Sequence, residues 1–434
     1  MPVNIAIVGA GPSGFYTAAA LLKADIDCQI DILERLPAPF GLIRYGVAPD
    51  HQSTKNVMRV FTRTALESRV RYYGNVAMGC DVALTELREM YDAVVLSFGS
   101  ARDRPLGVPG SDTPGCYGAA EFVGWYNGHP DFCDLDPNLN TQAVCVVGVG
   151  NVAIDVARVL VKTPAEMAES DIMDYAAEAI RQAPVTDVYI IGRRGPVQAK
   201  FTHKELREMG ALEDCTALAD PAQMPEAVGE ELSERDRRLR EKNLATLKSY
   251  AGNAPEGGKH KRVHFVFFAA PKEVLGETRV EGLRLERTRL EQGRALGTGE
   301  TFDIPCGAVI AAIGYRPQVP EGVPLDEARG VVANQDGRVD EGLYVVGWAG
   351  RGPTGVIGTN KHDGDHAAAR IQAEITHGDK PGRSALEALL TGRGVRWVSF
   401  ADWQRIDAAE VTAAPPGAPR RKLVSIEEAL GVLE

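Results

Sequence analysis

Two glycine motifs, each directly after a short apolar run, constrain the fold of this chain most strongly. GAGPSG occupies Gly9 to Gly14 and follows the run Val3 to Val8. GVGNVA occupies Gly148 to Ala153 and follows a run that begins at Ala143. A buried parallel strand, a glycine turn and a helix, in that order, form the unit that binds a dinucleotide. The chain is therefore predicted to be an α/β protein with two Rossmann-like domains and two bound nucleotides.

The first motif meets the separate demands of a pyrophosphate site. Gly9 permits a tight turn, Gly11 lets the backbone approach the phosphates, and Gly14 lets the helix pack on the strand. Glu34 ends the next predicted strand and can accept hydrogen bonds from a ribose diol. A glycine turn without a nucleotide is the alternative, but the preceding strand and the downstream acid count against it. The candidate contacts are Gly9, Ala10, Gly11, Pro12, Ser13, Gly14 and Glu34.

The second motif is followed by arginines where the first is followed by an acid. The apolar run Val188 to Ile191 predicts a strand, and Arg193 and Arg194 follow it after Gly192. A carboxylate there would repel a phosphate on the adenosine ribose, whereas planar guanidinium groups fit one. This site should therefore prefer NADPH over NADH. Two surface arginines in salt bridges are the alternative reading.

Composition narrows the class of protein. The chain has 434 residues, 44% of them hydrophobic and 25% charged, with a formal net charge of −11. That length predicts two domains, and the negative charge argues against a nucleic-acid binder. The seven cysteines form no CxxC pair and no metal-like cluster, so we expect small buried thiols, no metal and a cytoplasmic location. No apolar run is long enough to predict a membrane-spanning helix, and no membrane partner is expected.

Six blocks of sequence together resemble one family. They are GAGPSGFYTAAALLK, PAPFGLIRYGVAPDHQSTKNV, FVGWYNGHPD, GVGNVAIDVARVL, GRRGPVQAKFTHKELREM and VVGWAGRGPTGVIGT. In this order they resemble the adrenodoxin-reductase-like ferredoxin–NADP reductases, flavoproteins of the glutathione-reductase structural superfamily. The resemblance covers nearly the whole chain. It implies an FAD domain made of residues 1–103 and 319–434, with a C-terminal helical tail, and an NADP domain of residues 104–318 inserted between them.

The resemblance also implies which residues contact each cofactor. For FAD these are the GAGPSG residues and Glu34 together with Leu42, Val76, Trp348, Gly355, Val356 and Ile357. For NADP they are Val149, Gly150, Asn151, Val152, Arg193, Arg194, Glu205 and Gly355.

His51 and Glu208 match the pair that this family places near the nicotinamide and the flavin. We expect them to handle a proton or to orient the reacting groups. From the residues alone, His51 could equally be a helix-capping or core histidine. Glu205 and Glu208 are three positions apart in a helix-forming stretch, so they should share one face. Flavin reduction is a hydride transfer that needs no protein nucleophile, so loss of His51 should slow turnover rather than abolish it.

The expected function is that of a ferredoxin–NADP(+) reductase. Such an enzyme transfers a hydride from NADPH to FAD and then single electrons to a ferredoxin-type iron–sulfur protein. A diaphorase or an electron-transfer subunit with another acceptor is one alternative, and a non-catalytic dinucleotide sensor is a second. The absence of a redox CxxC pair counts against a disulfide reductase. Because the sequence contains no cysteine-rich ferredoxin module, the iron–sulfur partner is expected to be a separate protein.

A charged stretch between Glu226 and Arg262 offers a docking surface for an acidic carrier. It reads as an exposed helix and loop, and a merely solvated face is the alternative. On a chain of net negative charge, attraction of an acidic ferredoxin requires a local basic surface within a Debye length of about 8 Å. The densest cations are Arg235, Arg237, Arg238, Arg240, Lys242, Lys259, Lys261 and Arg262.

The arginine pair yields the first prediction. Replacing Arg193 and Arg194 with glutamine should raise the Michaelis constant for NADPH far more than that for NADH. A hydrogen bond to a charged group is worth roughly 1.5–3 kcal/mol, so each arginine should account for roughly one to two orders of magnitude in NADPH affinity. Steady-state kinetics with both coenzymes measure the effect, and equal changes for the two would refute the assignment.

Overall fold

The computed structural model describes residues 2–229, 232–254, 258–375 and 377–434. These residues form two compact units. The first comprises Met1–Arg102, Asn127–Pro130 and Tyr315–Glu434, and the second comprises Asp103–Tyr126 and Asp131–Gly314. The second unit is thus inserted into the chain of the first, as the predicted fold class requires.

The elements follow one another along the chain in three stretches. The first stretch contains β1 (Val3–Val8), α1 (Pro12–Lys23), β2 (Cys28–Glu34), α2 (Leu42–Tyr45), α3 (Gln52–Lys55), α4 (Met58–Ala65), β3 (Val70–Gly74), α5 (Leu84–Met90), β4 (Ala93–Leu96) and β5 (Arg102–Asp103). The second contains β6 (Cys116–Gly118), α6 (Ala119–Asn127), β7 (Ala143–Val147), α7 (Asn151–Val161), α8 (Pro164–Met167), α9 (Asp174–Gln182), β8 (Asp187–Ile191), α10 (His203–Met209), β9 (Cys215–Ala219), α11 (Glu234–Ala251), β10 (Lys261–Val266), β11 (Ala269–Leu275), β12 (Gly282–Glu291), β13 (Arg294–Pro305) and β14 (Ala308–Ala311). The third contains β15 (Tyr315–Arg316), β16 (Leu325–Asp326), β17 (Val331–Val332), β18 (Arg338–Asp340), β19 (Leu343–Val345), α12 (Trp348–Arg351), α13 (Thr359–Glu374), α14 (Arg383–Gly392), α15 (Phe400–Thr412) and α16 (Ile426–Gly431).

The first unit is built on a six-stranded sheet with the order β18-β19-β4-β1-β2-β3. Its strands are parallel except for the antiparallel pair β18 and β19. All six residues of β1 are buried because both faces of the sheet are covered. Ile5 and Ile7 pack into the core on one face, whereas Ala6 and Val8 pack into the core on the other. This explains why a parallel strand reads as a continuous apolar run rather than an alternating one.

The second unit repeats the arrangement. Its six-stranded parallel sheet has the order β6-β14-β7-β8-β10-β9. The separate antiparallel sheet β11-β12-β13 shares a core with one face of the parallel sheet, where Leu283 and Leu285 pack with Cys145 and Val309. β1 is a central strand of the first sheet, and β7 is a central strand of the second. The glycine turn after each strand therefore lies at the carboxyl edge of its sheet. Ligands bind at that edge in open α/β sheets.

Most predicted elements agree with the structure, and two expectations need correction. Segment Asn127–Pro130, predicted within the inserted domain, belongs to the first unit, where His129 packs edge-on against Tyr45. The cysteines are not all buried, since Cys80 is exposed.

The unit boundaries also differ slightly from the predicted ones. The chain passes between the units after Arg102 and after Gly314, whereas the predicted domains change after positions 103 and 318. All seven cysteines are free. Among the described residues, no helix combines the length and the apolar character needed to cross a membrane.

A buried ion pair ties α2 of the first unit to α15. The Arg44 guanidinium donates to the Glu410 carboxylate at 2.9 and 2.5 Å, and both side chains are almost wholly buried. The guanidinium also lies 5.0 Å from the ring centroids of Tyr45 and Trp403. Burial alone would raise the pKa of Glu410, but the Arg44 charge and hydrogen bonds lower it below its ordinary value.

Removal of the Glu410 charge should destabilise the first unit. Glu410→Gln leaves a buried guanidinium uncompensated, which costs about 3–5 kcal/mol. Glu178→Gln, which breaks an exposed ion pair with Arg181, should change the stability far less. Chemical denaturation at neutral pH measures the difference. Because the folded-state pKa is depressed, the stabilisation is present above the ordinary glutamate pKa and lost as pH falls through the folded value. The difference in the free energy of unfolding between the wild type and Glu410→Gln should therefore decrease in acid. A difference that does not change with pH would contradict the assignment.

Candidate functional site

The first glycine motif forms an open cradle in the first unit. Gly9 takes a φ of 112°, and a Cβ there would lie 2.7 Å from the Ser97 carbonyl oxygen. A Cβ on Gly14 would lie 2.2 Å from the Gly9 carbonyl oxygen. A Cβ on Gly11, by contrast, would meet no atom within 4 Å. Two glycines are thus required by the fold, and the third borders empty space at the start of α1, where the positive end of the helix dipole favours a phosphate.

Glu34 lies at the end of β2, beside this cradle. One carboxylate oxygen accepts a hydrogen bond from the Ala10 amide at 2.9 Å, and the other accepts one from the Leu36 amide at 3.3 Å. Desolvation raises the pKa of Glu34, and these amide hydrogen bonds act in the opposite direction. The amide of Val76, a buried residue, donates to the Glu34 carbonyl oxygen at 2.9 Å. The acid is therefore held against the glycine turn, where a ribose next to the pyrophosphate would lie.

The loop after β2 passes directly over the cradle. Phe40 takes a φ of 83°, and its amide donates to the Ala10 carbonyl oxygen at 2.8 Å. A Cβ on Gly41 would lie 3.1 Å from the Cα of Gly11, so the two backbones nearly touch. The next residue, Leu42, leaves 41% of its surface exposed. This loop supplies an apolar wall beside a polar cradle.

The segment around Trp348 also approaches the N-terminus of α1. A Cβ on Gly347 would lie 2.7 Å from the Ser13 side chain. The Trp348 indole nitrogen donates to the Thr354 carbonyl oxygen at 3.2 Å, and its ring stacks on Tyr315 with centroids 5.9 Å apart. Val356 is 60% exposed, and its neighbours Gly355 and Ile357 are exposed and half-buried, respectively.

The residues of the first unit fit an FAD. The exposed side chains of Leu42 and Val356 offer apolar surface that a bound ligand can cover. A flavin offers a planar apolar surface, and its pyrophosphate and ribose match the cradle and the acid. Contact of the predicted residues with FAD remains a prediction of the resemblance.

The second unit contains a matching cradle. Gly148 takes a φ of 141°, and a Cβ there would lie 2.2 Å from the Ala312 carbonyl oxygen. A Cβ on Gly150 would meet nothing within 4 Å, and Ala153 is fully buried at the position of close helix packing. The Asn151 side-chain oxygen accepts a hydrogen bond from the Thr202 amide at 2.7 Å. The geometry again leaves room for a pyrophosphate at the second glycine.

Arg193 and Arg194 follow β8 at the same edge of this sheet. The Thr288 hydroxyl donates to the Arg193 carbonyl oxygen at 2.7 Å, and the Phe268 amide donates to the Arg194 carbonyl oxygen at 3.2 Å. These contacts fix the backbone, while the Arg193 side chain is exposed and that of Arg194 is half-exposed. Within the described parts of the chain, neither guanidinium group forms an ion pair or a hydrogen bond. The salt-bridge alternative is therefore not supported, and the residues fit a ribose phosphate.

Glu205 and Glu208 lie on α10, as their spacing predicted, and both approach a residue that sequence reasoning missed. The Arg158 guanidinium lies 3.2 Å from the Glu205 carboxylate and 4.0 Å from that of Glu208. It also lies 2.8 Å from Asp155, one turn earlier on α7. The signal was present in the sequence, because Asn151, Asp155 and Arg158 follow the spacing i, i+4, i+7 of one helix face.

His51 precedes α3 in the first unit and is 9% exposed. Its amide donates to the Ala48 carbonyl oxygen at 3.0 Å, and its side chain forms no capping hydrogen bond to the helix. His51 is therefore the N-cap residue of α3 by position but not through its side chain, and its burial agrees with the core alternative. Its role, like that of Glu208, stays a prediction.

Two dinucleotide cradles, one followed by an acid and the other by arginines that form no ion pair with the described residues, define the class of an oxidoreductase with two dinucleotide cofactors. A family model described as Pyridine nucleotide-disulphide oxidoreductase matches residues 3–210. NADPH:adrenodoxin oxidoreductase of Homo sapiens is 43% identical over 452 residues, which cover 99% of this chain and 92% of that protein. NADPH-ferredoxin reductase FprA of Mycobacterium tuberculosis is 41% identical over 453 residues, 99% of each chain.

A solved structure of FprA in complex with NADPH has a TM-score of 0.93 to this protein at 40% identity, covering 100% of this chain and 99% of that one. Similarity of this extent shows the family. The chain belongs to the NADPH:adrenodoxin oxidoreductase and NADPH-ferredoxin reductase family, as the six sequence blocks predicted.

The empty space at Gly150 allows binding to be separated from folding. Gly150 has an extended backbone, with φ −116° and ψ 179°, which a valine readily adopts. Gly150→Val should leave the melting temperature within about 2 °C, because surface changes cost about 0.5 kcal/mol or less. It should weaken NADP+ binding by roughly 100-fold or more, since two methyl groups occupy the path of the phosphates.

Titration calorimetry with NADP+ and thermal unfolding measure the two effects. Gly148→Val is the matched control, because its Cβ would collide with the backbone of Ala312 and should destabilise the second unit. Undiminished NADP+ binding by Gly150→Val would contradict the proposed position of the pyrophosphate.

Proposed function

We propose that the protein is an FAD-dependent NADPH–ferredoxin reductase, which takes a hydride from NADPH and delivers single electrons to a ferredoxin-type iron–sulfur protein. The observation that carries the proposal is the contrast between the two cradles. Glu34 beside the first fits an unphosphorylated ribose, and Arg193 and Arg194 beside the second fit a phosphorylated one. Membership of a family whose proteins are named for NADPH and for adrenodoxin or ferredoxin supports the same pairing.

Each group of residues has a defined task in this reaction. The GAGPSG turn and α1 bind the FAD pyrophosphate, Glu34 holds its ribose, and Leu42, Val76 and Trp348 exclude water from the ring system. Bound FAD supplies the chemistry that accepts two electrons together and releases them singly. Val149 to Val152 hold the NADP pyrophosphate, while Arg193 and Arg194 select the phosphorylated coenzyme.

We assign the reacting end of NADPH to Glu205, Glu208, Gly355 and His51, on the strength of the family resemblance. His51 and Glu208 orient the reacting groups or hold a proton. Neither acts as a nucleophile, so the reaction should survive the loss of either at a lower rate.

The carrier is proposed to dock on α11. Arg235, Arg238 and Lys242 line a groove of about 390 Å³ with His203, Glu234 and Leu239. Leu239 is 42% exposed, so the groove offers an apolar centre. Its rim carries three cations and one acid, Glu234, which forms an ion pair with Arg238. Arg237 and Arg240 lie on the same helix, and Arg240 donates to the Val197 carbonyl oxygen at 3.1 Å.

Three other cations of the predicted cluster have partners elsewhere. Lys259 and Lys261 donate to backbone carbonyl oxygens, and Arg262 forms two hydrogen bonds with Asp187. Burial also lowers the pKa of Lys261. The docking proposal is therefore confined to α11.

The rival functions predict different behaviour. A diaphorase would reduce ferricyanide but no ferredoxin, and a dinucleotide sensor would bind NADPH without transferring electrons. The cytoplasmic location also remains a proposal, supported by the free cysteines, while the human relative is named as mitochondrial.

Charge reversal on α11 tests both the acceptor class and the docking surface. The triple variant Arg235→Glu, Arg238→Glu, Lys242→Glu should raise the Michaelis constant for a plant-type or adrenodoxin-type ferredoxin by roughly 10-fold or more, since attraction of the acidic carrier is lost. NADPH-dependent ferricyanide reduction should be unchanged. Cytochrome c reduction through added ferredoxin, at two ionic strengths, measures the effect.

The triple variant Lys272→Glu, Arg287→Glu, Arg289→Glu is the control, because it changes the net charge equally on the exposed sheet of the same unit. Equal losses in the two triple variants would reject the docking surface. Failure of the wild-type protein to reduce any ferredoxin while it reduces ferricyanide would favour the diaphorase.

A further inference from the structure

A polar seam joins α7 to α10 in the second unit. Asn151, Asp155 and Arg158 lie at i, i+4 and i+7 on α7, so they share one face of the helix that follows the second glycine motif. Opposite them lie Thr202, which caps α10, and the two glutamates of that helix, Glu205 and Glu208. At the N-terminal end of both helices, the Thr202 amide donates a hydrogen bond to the Asn151 side-chain oxygen at 2.7 Å.

Arg158 is the centre of this seam. Its side chain is 1% exposed, although arginine is seldom fully buried without several partners. Its guanidinium donates to Glu205 at 3.2 Å, lies 2.8 Å from Asp155 and lies 4.0 Å from Glu208. Asp155 belongs to the same helix and orients the guanidinium, whereas Glu205 and Glu208 belong to the other.

Both glutamates approach the positive charge of Arg158. Three carboxylates of the described residues lie within 4.0 Å of its guanidinium, and the largely exposed Lys204 lies 3.8 Å from Glu208. Without Arg158, the carboxylates would repel each other across a partly desolvated seam and would have to move apart or take up protons. A lysine would keep the charge but not the planar fork that reaches two helices at once.

We propose that Arg158 is a positioning residue for hydride transfer: it fixes Glu205 and Glu208 relative to the helix that binds the NADP pyrophosphate, and so sets where the nicotinamide is held. This rests on the proposed function, which gives those glutamates their roles. One end of α7 holds the phosphates, and two turns later the same helix holds the carboxylates. The same helix therefore fixes the spacing between the residues that hold the two ends of the coenzyme.

Flavin reduction by NADPH, measured anaerobically by stopped flow, tests the proposal. Arg158→Gln should slow this step by roughly 10- to 100-fold, because a displacement of about 1 Å in the reacting groups has effects of that size. Arg158→Lys should recover part of the rate. Asp155→Asn, which only loosens the orientation of the guanidinium, should slow the step less. The preference for NADPH over NADH should stay as in the wild type, since Arg193 and Arg194 are untouched.

A background without the two glutamate charges separates positioning from general structural support. In the variant Glu205→Gln, Glu208→Gln, the further change Arg158→Gln should slow flavin reduction by less than about 3-fold, because contacts that are already lost cannot be lost again. A full additional loss would overturn the proposal and assign Arg158 a purely structural role. Arg284→Gln removes one charge from β12 of the same unit and should leave the rate unchanged.

Other results have equally definite meanings. If Arg158→Gln does not fold, Arg158→Lys and Asp155→Asn decide, and wild-type rates in both would overturn the proposal. If NADPH reduces the flavin of the wild type normally and that of Arg158→Gln equally fast, only this inference is refuted. A wild-type flavin that NADPH does not reduce refutes the proposed function itself.

Discussion

A protein backbone can lie against a phosphate only where no side chain intervenes, and both nucleotide sites of this protein depend on that constraint. Gly11 and Gly150 each border open space, while their neighbours Gly9, Gly14 and Gly148 are forced to be glycine by contacts within the fold. In each strand–turn–helix unit, some glycines are thus required by the fold, and the one that borders open space is proposed to contact the ligand.

The difference between the sites arises one strand later. β2 ends in an acid that faces the first turn, and β8 ends just before two arginines at the edge of the second sheet. On the proposed assignment, the same architectural unit has opposite preferences for the ribose substituent in the two domains, which would allow electrons to pass from one kind of dinucleotide to the other. The arginines remain available because their backbone is fixed by Thr288 and Phe268, while their side chains stay free of carboxylates among the described residues.

The secondary-structure elements that depend on nearby residues could be predicted from the sequence. The bounds of β1 were predicted residue for residue, and the helix with Glu205 and Glu208 was recognised, because continuous apolar runs and helix-forming stretches carry their own periodicity. The return of Asn127–Pro130 to the first unit was missed, since it depends on tertiary contacts such as that of His129 with Tyr45. Arg158 was missed for a related reason. The helix spacing places it on one face with Asn151 and Asp155, but its burial depends on carboxylates of another helix, such as Glu205, which is 47 residues away in the sequence.

The central claim is that a flavin held by the first unit accepts electrons from NADPH held by the second. An anaerobic titration of the purified protein with NADPH, followed in the long-wavelength flavin band, tests it most directly. The account predicts a yellow protein whose band bleaches progressively and reaches its limit near one equivalent of NADPH per flavin, with NADH far less effective. A preparation that remains colourless after incubation with FAD, or a yellow one that dithionite bleaches and NADPH does not, would contradict it.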